Sequence, residues 1–273
     1  DDTSMSLCTL ESLTLGMVNY DDMMINFGKW YYDDDFTPTG EMFDVGNTCS
    51  TAIDNYFVKK KPINLCGLDN EHSNGNGSLM RIHPLVLYLY TREDLNIEEK
   101  IEIIHSVSAL THAHERSKIA CGIYAFVLWS ILDKKEKFHS IRSGLSKARK
   151  FYGGKYEEIS HYSNLFRRIA QLDRHYEDVD TFRPATIDEI KSGGYVVHTL
   201  EAAIFCLLHS KSYEHCVLSA VNLGDDTDTV GAVAGGLAGL YYGLDEIPAE
   251  WTTLLPKKEW IIDLAAKLKP EIC

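Results

Sequence analysis

The stretch Gly224-Asp225-Asp226-Thr227-Asp228-Thr229 runs directly into Val230-Gly231-Ala232-Val233-Ala234-Gly235-Gly236-Leu237-Ala238-Gly239. Three carboxylates and two hydroxyls occupy five consecutive positions. An Asp/Thr cluster ahead of an Ala- and Gly-rich apolar run predicts a helix N-terminus with its cap. Carboxylates this close repel one another, so a folded site containing them needs a neutralising partner. A hard divalent cation suits carboxylate and hydroxyl oxygens: Mg²⁺, Mn²⁺ or Ca²⁺. Taken alone, an acidic N-cap in a solvated turn accounts for the pattern equally well. An EF-hand is excluded, because Val230 and Leu237 stand where that loop needs ligands.

The same signature recurs at the other end of the sequence. Asp1-Asp2-Thr3-Ser4-Met5-Ser6-Leu7 is a second Asp-Asp-Thr followed by an apolar helical pattern. Two such clusters, each starting a helix, can meet and hold two metals, an arrangement that clamps substrate oxygens or activates water.

Between the clusters the hydrophobic periodicity is helical throughout. Helices are expected over 3–18, 23–32, 85–90, from Asn96 with Glu98 and Glu99 in the first turn, over 119–132, 199–209 and 214–221, with 248–268 closing the fold. The polar stretch 134–180 is expected to cover the surface. No alternating strand runs and no β-α alternation occur, so the fold class is all-α. At 273 residues and 45% hydrophobic, the chain can bury a substantial core as one domain, 1–273. The net charge of -13 speaks against nucleic acid held by bulk electrostatics. No run approaches the roughly eighteen apolar residues of a membrane span. Seven cysteines without a C-x-x-C pair read as free thiols, hence an expected cytoplasmic location.

The unusual residues lie in the irregular segments. Asp44-Val45-Gly46-Asn47-Thr48 precedes a short apolar helix and, by composition, is an N-capped turn. Ser73-Asn74-Gly75-Asn76-Gly77-Ser78 can cradle a diphosphate with backbone amides and small polar side chains, without a basic surface; a plain turn has the same composition. Arg81, close to Pro84, serves the ligand loop or equally a structural ion pair. His112 and His114, two apart, point to different faces if helical and make a poor zinc pair. One of them is expected to contact ligand or backbone. Tyr195, in Gly193-Gly194-Tyr195, either stacks on a flat ring or fills the core. No Ser elbow, thiol nucleophile or P-loop lysine is evident.

The order of these motifs resembles the ADP-ribosylglycohydrolase family, which includes dinitrogenase reductase-activating glycohydrolase and the ADP-ribosyl-acceptor hydrolases. Asp1–Thr3, Asp44–Thr48, Ser73–Arg81, Thr111-His112, Gly194–Ala203 and Asn222–Thr229 follow one another as in that family and span nearly the whole chain. The resemblance implies a compact orthogonal helical domain. It further implies a binuclear Mg²⁺ or Mn²⁺ centre held by Asp1, Asp2, Asp226, Asp228 and Thr229, with Asp228 bridging. It implies a ligand site for the ADP-ribose moiety of a modified protein or small molecule, formed by Gly46, Thr48, Ser73, Asn74, Gly75, Asn76, Gly77, His112 and Tyr195. Asp44 and Asp2 are its candidate catalytic carboxylates. The implied reaction is hydrolysis at the anomeric carbon of ADP-ribose, through an oxocarbenium-like state. A non-catalytic ADP-ribose-binding relative and a metal phosphohydrolase are the alternatives.

Two departures from the family stand out. Its earlier Gly-Asp-Ala-x-Gly segment, and the Ser or Thr usually preceding the first Asp-Asp-Thr, are absent, so either a truncated or processed version of a longer protein, or a parent that has lost function, is expected. Position 225 is Asp where the family commonly has Gly.

Overall fold

The computed structural model describes residues 1–133, 136–155 and 187–268. Twelve α-helices and no strand occur among the described residues, in agreement with the all-α expectation. In chain order they are α1 (Asp2–Leu13), α2 (Tyr20–Asp33), α3 (Asn47–Phe57), α4 (His83–Tyr90), α5 (Ile97–Ala109), α6 (Glu115–Leu132), α7 (Lys137–Lys155), α8 (Val196–His209), α9 (Tyr213–Val221), α10 (Thr227–Tyr242), α11 (Ala249–Leu254) and α12 (Lys258–Lys267). None of them is long and apolar enough to cross a membrane. Of the polar stretch 134–180, only α7 and Glu136 lie within the described residues.

The helix boundaries follow local chemistry. Asn19 accepts a hydrogen bond from the Asp22 amide and starts α2, while Asp34 ends it in the left-handed region at φ 61°. Asn96 and Glu99 form a reciprocal capping box at α5 (2.9 and 2.8 Å), satisfying two amides that a helix start leaves unpaired. Pro84 sits in the first turn of α4, where its missing N–H costs nothing. The closing segment expected over 248–268 is two helices, because Leu255-Pro256-Lys257 interrupts it and Lys257 takes φ 55°.

The chain divides into two compact units. The first, residues 1–121 with 248–273, packs α1 against α2, α4 and α12, α2 against α3, and α4 against α5. Met5, Cys8 and Leu13 of α1, Met23, Phe27 and Trp30 of α2, and Leu85 and Leu89 of α4 are fully or almost fully buried. Each such side chain removed from water is worth about 1.5–3 kcal/mol before entropy is counted. Leu7 and Leu10 meet Leu264 beside Phe36 and Ile261, which fastens α12 to α1.

In the second unit, residues 122–247, α10 packs on both α8 and α9. Its small residues explain how. A Cβ at Gly231 would stand 3.0 Å from Val221 Cγ1, and Cβ atoms at Gly235 and Gly239 would lie 3.4 Å from the Tyr213 hydroxyl and 3.7 Å from its ring. Glycines four apart therefore form the flat stripe against which α9 rests. Lys137 Nζ donates to the Ser210 carbonyl at 2.5 Å and lies 3.3 Å from the Tyr242 hydroxyl, tying the start of α7 to the ends of α8 and α10.

Candidate functional site

In the first unit the segments read as ligand-binding converge on Arg81. This side chain is fully buried. Its Nη1 donates to the Gly77 carbonyl (2.8 Å) and to Thr111 Oγ1 (3.0 Å), its Nη2 donates to the Val107 carbonyl (3.0 Å), and its guanidinium lies 4.8 Å from the centre of the Phe27 ring. No carboxylate pairs with it among the described residues. Of the two readings open for Arg81, the structural ion pair is not formed among the described residues; its partners are carbonyls, a hydroxyl and an aromatic face. Arginine cannot shed its proton in a protein, so the charge persists although burial pulls its pKa downward. Cys49, Cys121 and Cys8 are the titratable groups that act on it, and burial pushes all three thiols up, keeping them neutral.

Around this guanidinium the loop 73–78 is compact and largely inward. Ser73, Asn74, Asn76 and Ser78 are buried, and Asn76–Ser78 is a single 3₁₀ turn. Asn74 accepts from Ser117 Oγ (3.1 Å) and donates to the Glu71 carbonyl (3.0 Å). Gly77 has no room for a side chain: a Cβ there would come within 2.9 Å of both Cys49 Sγ and His112 Cε1. The α3 N-terminus, the loop and His112 therefore meet at Gly77. His112 is not helical, as two histidines on one helix would have been; it forms an isolated parallel bridge with Leu68, with Leu68 N–H donating to Thr111 O (2.9 Å) and Ala113 N–H donating to Leu68 O (2.8 Å). Thr111 Oγ1 lies 2.8 Å from His112 Nδ1. Burial, then the Arg81 charge, push the His112 pKa down to about 3, so the ring is neutral. His114 faces outward to Glu71, which also pairs with Arg116.

Asp2 belongs to the same neighbourhood. It is the first residue of α1, nine-tenths buried, and its charge acts on the Cys49 thiol. Ser6, one turn on, donates to the Met80 carbonyl (3.1 Å). Asp1 holds the N-cap position of α1 without a side-chain cap bond. The Asp44–Thr48 segment leads into α3, with Gly46 as N-cap and Thr48 in its first turn. Asp44 is exposed and left-handed, at φ 55°.

The second unit carries the other cluster. Asp226 occupies the N-cap position of α10, yet its carboxylate does not cap the helix, contrary to the sequence expectation. Its backbone N–H donates to Ser192 O (3.2 Å), and Ser192 Oγ returns a bond to Gly224 O (3.0 Å). A Cβ on Gly194 would lie 3.2 Å from Asp226 Oδ2, so this glycine admits the carboxylate to the loop ahead of α8. Tyr195 is the N-cap of α8, half-buried, with its ring edge-on to His198 at 4.9 Å. Asp228 is exposed in the first turn of α10 and Thr229 beside it is buried. Gly224 and Asp225 both take positive φ, 87° and 55°, which is why glycine suits position 225.

Among the described residues no three His, Cys, Asp or Glu side chains form a metal-holding group. The donors themselves fit a hard divalent cation: all are carboxylate or hydroxyl oxygens, and neither Asp1 nor Asp226 spends its side chain on its own helix.

The chain belongs to the ADP-ribosylglycohydrolase family, whose model matches residues 1–272. It is similar to the ADP-ribosylarginine hydrolases Tri1 of Serratia proteamaculans (28% identity, 98% of this chain, 66% of the relative) and Pseudomonas putida (27%, 98% and 65%). A further relative is the ADP-ribosyl-[dinitrogen reductase] glycohydrolase of Rhodospirillum rubrum (27%, 94% and 74%). A solved structure, an ADP-ribosylglycohydrolase-related protein complex, superposes with a TM-score of 0.74 at 28% identity, covering 98% of this chain and 80% of the other. The chain thus spans just under two thirds of the length of the two Tri1 relatives.

Sequence reasoning did not find Thr111 and Cys49 as partners in this cluster.

Proposed function

We propose that this protein is a divalent-metal-dependent hydrolase that frees ADP-ribose from a modified acceptor by cleaving the bond at the anomeric carbon, with arginine the first acceptor to test. The observation carrying this reading is the Asp226 corner: Asp226 stands at a helix start with its backbone N–H bonded to Ser192 O and its carboxylate turned toward Gly194 rather than capping its own helix. Family membership and the names of the relatives support the ADP-ribosyl group as substrate.

In this reading Asp1, Asp2, Asp226, Asp228 and Thr229 would hold two divalent cations, Mg²⁺ or Mn²⁺. Such ions supply a Lewis acid for the ribose hydroxyls and a source of activated water. The chain's own groups do the remaining work. The Ser73–Gly77 loop with Gly46 and Thr48 offers amides and hydroxyls to the diphosphate and ribose, which suits a protein of net charge -13. His112, neutral at working pH, donates or accepts without adding charge. Asp44, exposed to water, is the candidate general base, and Asp2 the second candidate catalytic carboxylate. Reduced thiols fit a cytoplasmic setting.

The test is release of free ADP-ribose from an arginine-ADP-ribosylated substrate with Mg²⁺ or Mn²⁺, against EDTA. Asp226→Ala/Asp228→Ala is expected to lower the rate on the order of a hundredfold or more. Release insensitive to both EDTA and the double substitution would refute the metal-dependent reading, and release of inorganic phosphate instead would identify a phosphohydrolase.

A further inference from the structure

Arg81 is a cation sealed in the interior with no anionic partner among the described residues, directly behind the loop proposed to receive a diphosphate. Burying a charge is costly unless its bonds are well made, so each bond it makes has structural weight. Three of its targets lie on the loop, on α5 and on the turn after α5: Gly77 O, Val107 O and Thr111 Oγ1. The last is the informative one. Arginine only donates, so the Thr111 oxygen receives a proton from Nη1 and its own hydroxyl proton is left to give. His112 Nδ1 lies 2.8 Å away, and Cys49, which also hydrogen-bonds the Thr111 side chain, is a neutral thiol with an S–H of its own to donate. A hydroxyl polarised by a cation is a better donor and a poorer acceptor. The guanidinium charge also favours a lone pair, rather than an N–H, on the ring nitrogen nearer to it.

From this geometry we propose that Arg81 and Thr111 are positioning residues for the cradle: Arg81 pins the Gly77 carbonyl, and through the Thr111 hydroxyl it holds His112 with Nδ1 as acceptor and Nε2–H as donor. The inference rests on the proposed ADP-ribose cradle for its functional meaning, but the tautomer itself does not depend on any ligand. Gly77 borders the ring on its Cε1–Nε2 edge, since a Cβ on Gly77 would lie 3.4 Å from Nε2 and 2.9 Å from Cε1. The imidazole thus offers a bound oxygen a donor of fixed direction and no charge.

The experiment is ¹⁵N NMR of the histidine-labelled chain, combined with ADP-ribose binding by calorimetry. Wild type is expected to give the Nε2–H signature for His112. Thr111→Val, nearly the same shape without the hydroxyl, is expected to release that single tautomer and weaken ADP-ribose about tenfold. Thr111→Ser, which restores the hydroxyl, is expected to recover both. An Nδ1–H signature in wild type, or an unchanged His112 signal in Thr111→Val, would overturn the proposal. If the tautomer behaves as stated but wild type binds no ADP-ribose, the positioning relay stands and the cradle reading falls. Thermal melts of both variants establish that each is folded.

Discussion

Gly77→Ala is the smallest change that should separate cradle geometry from general stability. The added methyl would meet Cys49 Sγ and His112 Cε1 at 2.9 Å each and His112 Nε2 at 3.4 Å. Neither neighbour has room to give way: Cys49 is 1% exposed in the first turn of α3, and His112 is 2% exposed with Nδ1 against Thr111. Two contacts well inside van der Waals distance in a closed site match the overpacking cases that cost about 1–3 kcal/mol. At about 2 kcal/mol a chain of this size loses roughly 4–8 °C in Tm. ADP-ribose affinity should fall more than stability does, because the methyl displaces the ring proposed to touch the ligand. Cys49→Ala removes one of the two clashes, so the double variant should be less destabilised than the sum of the singles, by about 0.5–1 kcal/mol in a double-mutant cycle. Differential scanning fluorimetry and urea titration measure both. A Gly77→Ala protein with unchanged Tm and unchanged ADP-ribose binding would show that the loop, α3 and His112 do not meet as described.

Asp225→Gly should raise stability by about 0.5–1 kcal/mol in urea titration, since Asp225 holds φ 55° and glycine carries no Cβ penalty there. Asn96→Ala breaks the capping box of α5 and should cost about 1 kcal/mol; a cost near zero would mean that this helix start is not held by its cap. Histidine titration gives a third expectation. Burial pushes His112 down to about 3 and His105 to about 4, from an ordinary 6.5. Between pH 6.5 and those values the unfolded chain binds more protons than the native one, so stability is level above pH 6.5 and falls as pH drops below it. His105→Asn should flatten part of that slope in urea midpoints measured from pH 7 to 4; a slope unchanged by the substitution would contradict a neutral, buried His105.

The helices were legible because their signals are local. Asn96 with Glu99, the apolar runs of α6 and α8, and Pro84 at the head of α4 each specify structure within a few residues. What escaped the sequence depends on distant neighbours. Asp226 has the composition of an N-cap, yet its carboxylate leaves the helix uncapped while its backbone is taken by Ser192. Arg81 carried two equal readings in the sequence, ligand loop or ion pair, because its partners are two carbonyls and a hydroxyl supplied by residues up to thirty positions away. The family pattern pointed to the loop 73–77 and to His112, but nothing in it named Thr111 as the group between His112 and the buried cation.

The sealed cysteines have a practical consequence. Cys8, Cys49, Cys66 and Cys121 lie in the first unit, Cys206 and Cys216 in the second, and all six are free and buried. A thiol held this way reacts with an alkylating reagent only when its surroundings open, so each is a clock on the opening of its own unit. In a short pulse under mild denaturant, mass spectrometry reads that clock as integers: four labels for the first unit alone, two for the second, six for both, with Cys273 resolved separately by peptide mapping. Wild-type cysteines alone therefore report whether ligand binding slows the opening of one unit or of both.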